Sequence, residues 1–109
     1  KNCVVYTGTH DNEPMLSWWE QVDVGIKEQV LRYLGKQSVQ IHREMIRLAL
    51  ASAANFAIFP LQDILGLGKE SRMNTPSLAE GNWTWRMKPE QITKEMMEML
   101  GNWTRTFGR

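Results

Sequence analysis

Blocks of apolar and polar positions alternate along this chain, and their periods predict its elements. Cys3-Val4-Val5 opens a continuous apolar run of the kind found in a strand covered on both faces, and a strand is expected over residues 3–9. Between residues 13 and 34, Leu16, Trp19, Val22, Ile26, Val30 and Leu34 recur at steps of three and four, which makes one helical stripe. Pro14 suits the first turn of that helix, Gly25 is the expected point of a split, and Gly35 is a C-terminal stop. A second helix is predicted over residues 38–54, with Ser38 as N-cap and Ile41, Met45, Leu48, Ala49, Ser52 and Ala53 as its buried face. Phe56-Ala57-Ile58-Phe59 reads as a second buried strand, stopped by Pro60. Residues 60–88 show little periodicity beyond a helical turn at 62–65, and a final helix is expected over 89–100, opened by Pro89 and closed by Gly101. Its apolar side is Ile92, Met96, Met99 and Leu100.

This order, strand, helices, strand, long loop and helix, implies an α/β fold with a parallel sheet. Two parallel strands cannot cover themselves, so the segment is expected to belong to a larger sheet or barrel.

Composition narrows the function classes. The 109 residues are enough for one small domain, and 42% hydrophobic with 23% charged residues is ordinary for a globular chain. A formal net charge of +1, with basic residues scattered, gives no electrostatic case for nucleic acid or for an anionic membrane surface. No apolar stretch reaches the length of a membrane span. The single cysteine, Cys3, cannot form an internal disulfide, so a reducing, cytoplasmic setting is expected. Five Trp and seven Met are more than a small core needs, and some are expected to line a site or an interface.

Candidate chemistry sits after the two strands. Tyr6-Thr7-Gly8-Thr9-His10-Asp11-Asn12 puts an imidazole and a carboxylate at a strand tip, where α/β folds place chemistry. The competing reading is that Asp11 or Asn12 caps the following helix. After the second strand come Gln62, Asp63, Arg72, Asn74, Trp83, Trp85 and Arg86. Carboxylates, amides and indoles together suit a carbohydrate, whose hydroxyls take bidentate hydrogen bonds and whose C–H faces stack on Trp. The same residues would also serve as a buried polar network that ties down the long loop. His42, a lone helical histidine, reads as structural, and no Cys/His set has metal-ligand spacing. Gly66-Leu67-Gly68-Lys69-Glu70-Ser71 lacks the spacing of a phosphate loop.

Four stretches carry a family resemblance: Tyr6 to Asn12, Phe59-Pro60-Leu61-Gln62-Asp63-Ile64-Leu65-Gly66-Leu67-Gly68, Arg72-Met73-Asn74-Thr75-Pro76, and Glu80-Gly81-Asn82-Trp83-Thr84-Trp85-Arg86. Over essentially the whole chain the sequence resembles the C-terminal part of the 4-α-glucanotransferases (amylomaltases, or disproportionating enzymes, of glycoside hydrolase family 77). The resemblance implies a TIM (β/α)8 barrel, of which residues 1–109 form a single partial domain, about the last two β/α units. Residues 3–9 would be the seventh strand and residues 55–59 the eighth. The implied activity is retaining transfer of α-1,4-glucan chains between maltodextrins, with no metal or organic cofactor. Asp11 matches the family's transition-state-stabilising carboxylate and His10 its accompanying histidine. Asn12, Asn74, Pro76 and Trp83 are the substrate-binding candidates. The family's nucleophile and acid/base lie upstream of this region, so the isolated chain is expected to be inactive. The alternative expectation is a non-catalytic glucan-binding module, or one that self-associates as a homo-oligomer through open strand edges.

Overall fold

A computed structural model describes residues 2–37 and 39–109. Strand β1 (Val4–Tyr6) pairs in parallel with β2 (Phe56–Ile58), in the register Val4 to Phe56, Val5 to Ala57 and Tyr6 to Ile58. A parallel pair needs a long crossover, and α1 (Met15–Gln21), α2 (Val24–Leu34) and α3 (Ile41–Ala51) supply it. After β2 come α4 (Leu61–Leu65), two 3-10 turns at Lys69–Ser71 and Pro89–Gln91, and α5 (Lys94–Thr106).

Side chains alternate across a strand, so the register sorts the sheet into two faces. Val5 and Ala57 are half-buried, whereas Val4, Tyr6, Phe56 and Ile58 share the other face and are exposed. The expected strands covered on both faces are therefore covered on one.

The core gathers on α3, which packs against α1, α4 and α5. Ile41, Ile46, Ala49 and Leu50 are buried there, joined by Met15 of α1, Ala54 and Met96 of α5. The buried face is rotated from the predicted one. Ile41 and Ala49 lie in it, Met45, Leu48 and Ser52 are half-buried, and Ala53 is exposed. The predicted cap Ser38 lies outside the described residues, and Gln40 holds the N-cap position with no side-chain hydrogen bond. The chain end closes over the other end of α3. The Arg109 guanidinium donates to the carbonyls of Leu50 at 2.7 Å, Ser52 at 2.9 Å and Ala54 at 2.7 Å, neutralising acceptors at a helix C-terminus.

Several boundaries differ from the sequence reading. The 13–34 helix does split, but at Val22-Asp23, because the Asp23 carboxylate accepts from Gly25 N–H at 2.9 Å and starts α2 as its N-cap. Gly25 sits inside the new helix. Of the predicted stripe, Ile26 is 42% exposed, while Leu16, Trp19, Val22, Val30 and Leu34 are half-buried. Gly35 does end α2, with a left-handed φ of 69°. Pro89 opens only a 3-10 turn. The last helix starts at Thr93, whose hydroxyl accepts from Met96 N–H at 3.2 Å, and it runs through Gly101 to Thr106.

Candidate active site

Past the end of β1 the chain makes a tight, self-closed turn. Asn12 N–H donates to the Thr9 carbonyl at 3.1 Å, and the Asn12 side-chain oxygen accepts from Thr9 N–H at 2.8 Å and from its hydroxyl at 3.0 Å. Asn12 therefore shapes the turn. It does not cap α1, and neither does Asp11, because Pro14 occupies the N-cap position. The first-turn donor of α1, Met15 N–H, is satisfied by Asp63 of α4 at 2.7 Å. Asp11 is thus released from the capping role that local sequence suggested for it.

The turn projects His10 and Asp11, whose side chains are 55% and 50% exposed. His10 Nε2 stands 3.4 Å from Asp11 Oδ1, and the same oxygen accepts from the Asn74 side-chain amide at 2.6 Å. Asp11 Oδ2 has no hydrogen-bond partner among the described residues, so it is available to a ligand. The loop after α4 returns to this point. Asn74 N–H donates to the His10 carbonyl at 3.1 Å. Arg72 bridges the two segments, Nη2 donating to the Asp11 carbonyl at 2.6 Å and Nε to the Asn74 carbonyl at 2.9 Å.

Trp83 packs against His10. Its ring lies 5.0 Å from that of His10, tilted by 39°. Its backbone N–H is tied to the Met73 carbonyl at 2.6 Å, and its φ is 61°. A bulky residue held in the left-handed region costs of order 1–3 kcal/mol and persists only where its surroundings over-determine it. Pro76 lies exposed in the neighbouring turn, closed by Leu78 N–H to the Thr75 carbonyl at 3.2 Å. Proline at its second position and Ser77 with φ 72° at its third follow a type II pattern.

Two grooves meet at this loop. One, of about 490 Å³, opens beyond the strand ends between Tyr6, His10, Ile58, Phe59 and Arg72. The other, of about 630 Å³, lies on the far side of Asp11 against Trp18 and Met45. The His10 imidazole thus lines the first groove and the Asp11 carboxylate the second, with one carboxylate oxygen free, while Asn74 and Trp83 contact this pair without lining either groove. This arrangement can hold sugar hydroxyls and stack a sugar face.

The polar residues after β2 divide into two sets. Gln62, Asp63 and Ser71 are buried and tie the loop, Gln62 Nε2 donating to the Ser71 carbonyl at 3.0 Å. Asn74 and Trp83 reach the His10–Asp11 pair, with Arg72 binding the backbone beneath them. Arg86 turns back to the carbonyls of Trp83 and Trp85 at 3.3 and 3.0 Å. Sequence reasoning named Arg72 and Asp63 without assigning them a role, since their partners lie 61 and 48 residues away. Among the described residues, no group of three or more His, Cys, Asp or Glu side chains is arranged to hold a metal ion, and no helix is long and apolar enough to cross a membrane.

His42 lies outside both grooves, beneath α4. Gly66 ends α4 with a φ of 69°, and a Cβ there would stand 2.7 Å from His42 Nε2. His42 Nδ1 is buried without a hydrogen-bond partner. Burial, and then the neighbouring Arg43 charge, push this imidazole below its ordinary range, with the Asp63 charge opposing them. The unfolded chain therefore binds the proton more readily. Stability is fully present above the usual imidazole value of about 6.5 and falls as pH drops below it. Urea midpoints between about pH 7.5 and about pH 5.5 are expected to show this fall, and His42→Gln to flatten it.

The site can be set beside known proteins. The family model described as 4-alpha-glucanotransferase matches residues 1–93. A 4-alpha-glucanotransferase of Synechocystis sp. is 47% identical over 109 residues, covering 99% of this chain and 22% of that protein. The chloroplastic/amyloplastic 4-alpha-glucanotransferase of Solanum tuberosum is 48% identical over 88 residues, covering 80% of this chain and 15% of that protein. An amylomaltase from Streptococcus agalactiae, solved in complex with acarbose, matches in structure with a TM-score of 0.91 and 33% identity, over 97% of this chain and 22% of that one. The chain thus spans between 15% and 22% of the length of these relatives.

Proposed function

Because the chain belongs to the 4-alpha-glucanotransferase family, we propose that it is a C-terminal segment of such an enzyme, contributing the Asp11 side of a site that transfers α-1,4-glucan chains between maltodextrins. The observation that carries this reading is the exposed His10–Asp11 pair between the two grooves, contacted by Asn74 and Trp83, with Asp11 Oδ2 open to a ligand. In this proposal residues 1–109 form about the last two β/α units of a TIM (β/α)8 barrel, in a cytoplasmic enzyme. The uncovered face of Val4, Tyr6, Phe56 and Ile58 packs against the remaining strands.

In the proposed reaction, a carboxylate from another part of the enzyme attacks the anomeric carbon as an acid protonates the departing glycosidic oxygen. An acceptor hydroxyl then displaces the glycosyl-enzyme as the same group takes its proton. Asp11 takes hydrogen bonds from hydroxyls of the distorted sugar and adds negative charge beside the developing oxocarbenium ion. His10 donates to a neighbouring hydroxyl, Trp83 backs the ring of His10, and Asn74 fixes the Asp11 rotamer. The attacking carboxylate and the acid must stand about 5–5.5 Å apart across the scissile bond. The family's motifs for both precede this region, so the 109 residues alone do not complete a double displacement.

The test is the anomeric configuration of the product when the full-length enzyme acts on maltotriose, read by proton NMR. New α-1,4 linkages are expected, whereas β products or simple hydrolysis would overturn the reading. One observation favours a second reading for the isolated chain. Four exposed apolar side chains on a two-stranded sheet with free edges are suited to pairing with another copy. Light scattering over a range of concentrations separates a self-associating module, with or without glucan affinity, from a monomer.

A further inference from the structure

We infer that Asp63 is a positioning residue that sets the Asp11 carboxylate by clamping both feet of the loop that carries it, an inference that rests on the glucanotransferase reading. Asp63 is 2% exposed, and each of its oxygens is committed to one end of the 7–15 segment. Oδ2 accepts from the Thr7 hydroxyl at 2.6 Å, where the chain leaves β1, and Oδ1 accepts from Met15 N–H at 2.7 Å, where it enters α1. Between the feet the backbone passes over the same carboxylate, since a Cβ on Gly8 would lie 4.0 Å from Oδ2.

Burying a carboxylate is costly unless good donors replace its water, and hydrogen bonds to an ionised acceptor are the short, strong kind. Both donors here come from the loop that bears His10 and Asp11, so what Asp63 holds is that loop. The loop cannot relax internally, because the Thr9–Asn12 bonds close its tip. Its orientation is therefore fixed by Asp63 at the feet and by Arg72 and Asn74 at the tip. Displacement of a reacting group by about 1 Å costs about 100-fold in rate, which is the scale on which loss of the clamp acts.

The experiment uses the full-length enzyme and α-maltosyl fluoride as donor, so that slow variants remain measurable. Asp63→Asn keeps the shape of the side chain but offers one acceptor for two donors. Thr7→Val removes one donor at nearly constant volume, and Thr7→Ser retains it. Asp63→Asn and Thr7→Val are expected to lower kcat by about 10- to 100-fold with KM little changed, and Thr7→Ser to restore it. In an Asp11→Asn background the same two substitutions should cost less than about twofold, since groups acting through one carboxylate are not additive. Near-ultraviolet circular dichroism establishes that the variants compared are folded, and Thr7→Val carries the test alone where Asp63→Asn is not. Losses that multiply with Asp11→Asn, or full activity in folded Thr7→Val, overturn the inference while the glucanotransferase reading stands. A wild-type enzyme inactive on both maltotriose and the fluoride overturns that reading and this inference with it.

Discussion

Replacing Asp11 by Asn in the full-length enzyme is expected to lower kcat for maltotriose disproportionation by about 100- to 1,000-fold, the scale of losing one preorganised electrostatic contact to a transition state. KM should move by less than about threefold, because the contact strengthens only as charge develops on the sugar. The substitution is well suited to isolating charge. The oxygen of the introduced amide can still accept from the Asn74 side chain, which now donates to Asp11 Oδ1 at 2.6 Å, and the Arg72 bond to the backbone carbonyl at this position is untouched. The loop therefore keeps its shape while the carboxylate is lost. A rise in KM with kcat preserved would make Asp11 a ground-state binding residue, and full activity would remove it from the site.

The largest expected effect on stability lies at Ile46. It is 0% exposed at the centre of α3, the helix on which α1, α4 and α5 converge. Truncation to Ala removes three carbons from a packed interior and leaves a void that neighbours fill only in part, a loss of about 2–5 kcal/mol. Only eight apolar residues, Pro14 among them, are buried among those described, so little else compensates. The urea midpoint is the measurement. Lys94→Ala, at a side chain 87% exposed, should change stability by less than about 0.5 kcal/mol. An equally small change for Ile46→Ala would contradict the placement of the core on α3.

The fold's outline was legible because it is written in local periodicity. The β-branched run at Val4-Val5, the three-and-four stripes and the stop at Gly35 each identify an element without reference to the rest of the chain. Boundaries failed where two signals competed. Asp23 and Gly25 both mark a break, and the carboxylate cap decided it. Pro89 and Thr93 both mark a helix start, and the hydroxyl cap decided that one. Gly101 did not stop α5, whose last turns continue with the Thr104 and Thr106 hydroxyls bonded back to the carbonyls of Leu100 and Asn102 at 2.7 and 2.8 Å.

The candidate site was legible in its chemistry and not in its assembly. His10 and Asp11 announce themselves as polar residues at a strand tip. What local pattern cannot encode is that Asp63, 48 residues away, takes over the capping of α1 and so leaves Asp11 free. Nor can it encode that Asn74 reaches Asp11 from 63 residues away, or that a left-handed backbone at Trp83 lays an indole against His10. These contacts depend on how the loop after β2 returns to β1, which is fixed by tertiary packing. The resemblance to a family supplied roles for His10 and Asp11, and the structure supplies the neighbours through which those roles would work.

The central claim is that these 109 residues furnish one wall of a glucan-transfer site whose attacking and protonating carboxylates come from elsewhere in the enzyme. It is tested most directly by incubating the purified 109-residue chain and the full-length enzyme side by side with maltotriose and resolving the products by chromatography. The account predicts redistribution into shorter and longer maltodextrins by the full-length enzyme and unchanged maltotriose with the chain alone. Redistribution by the chain alone would mean that carboxylates within these residues suffice, and would contradict the division of labour built around Asp11.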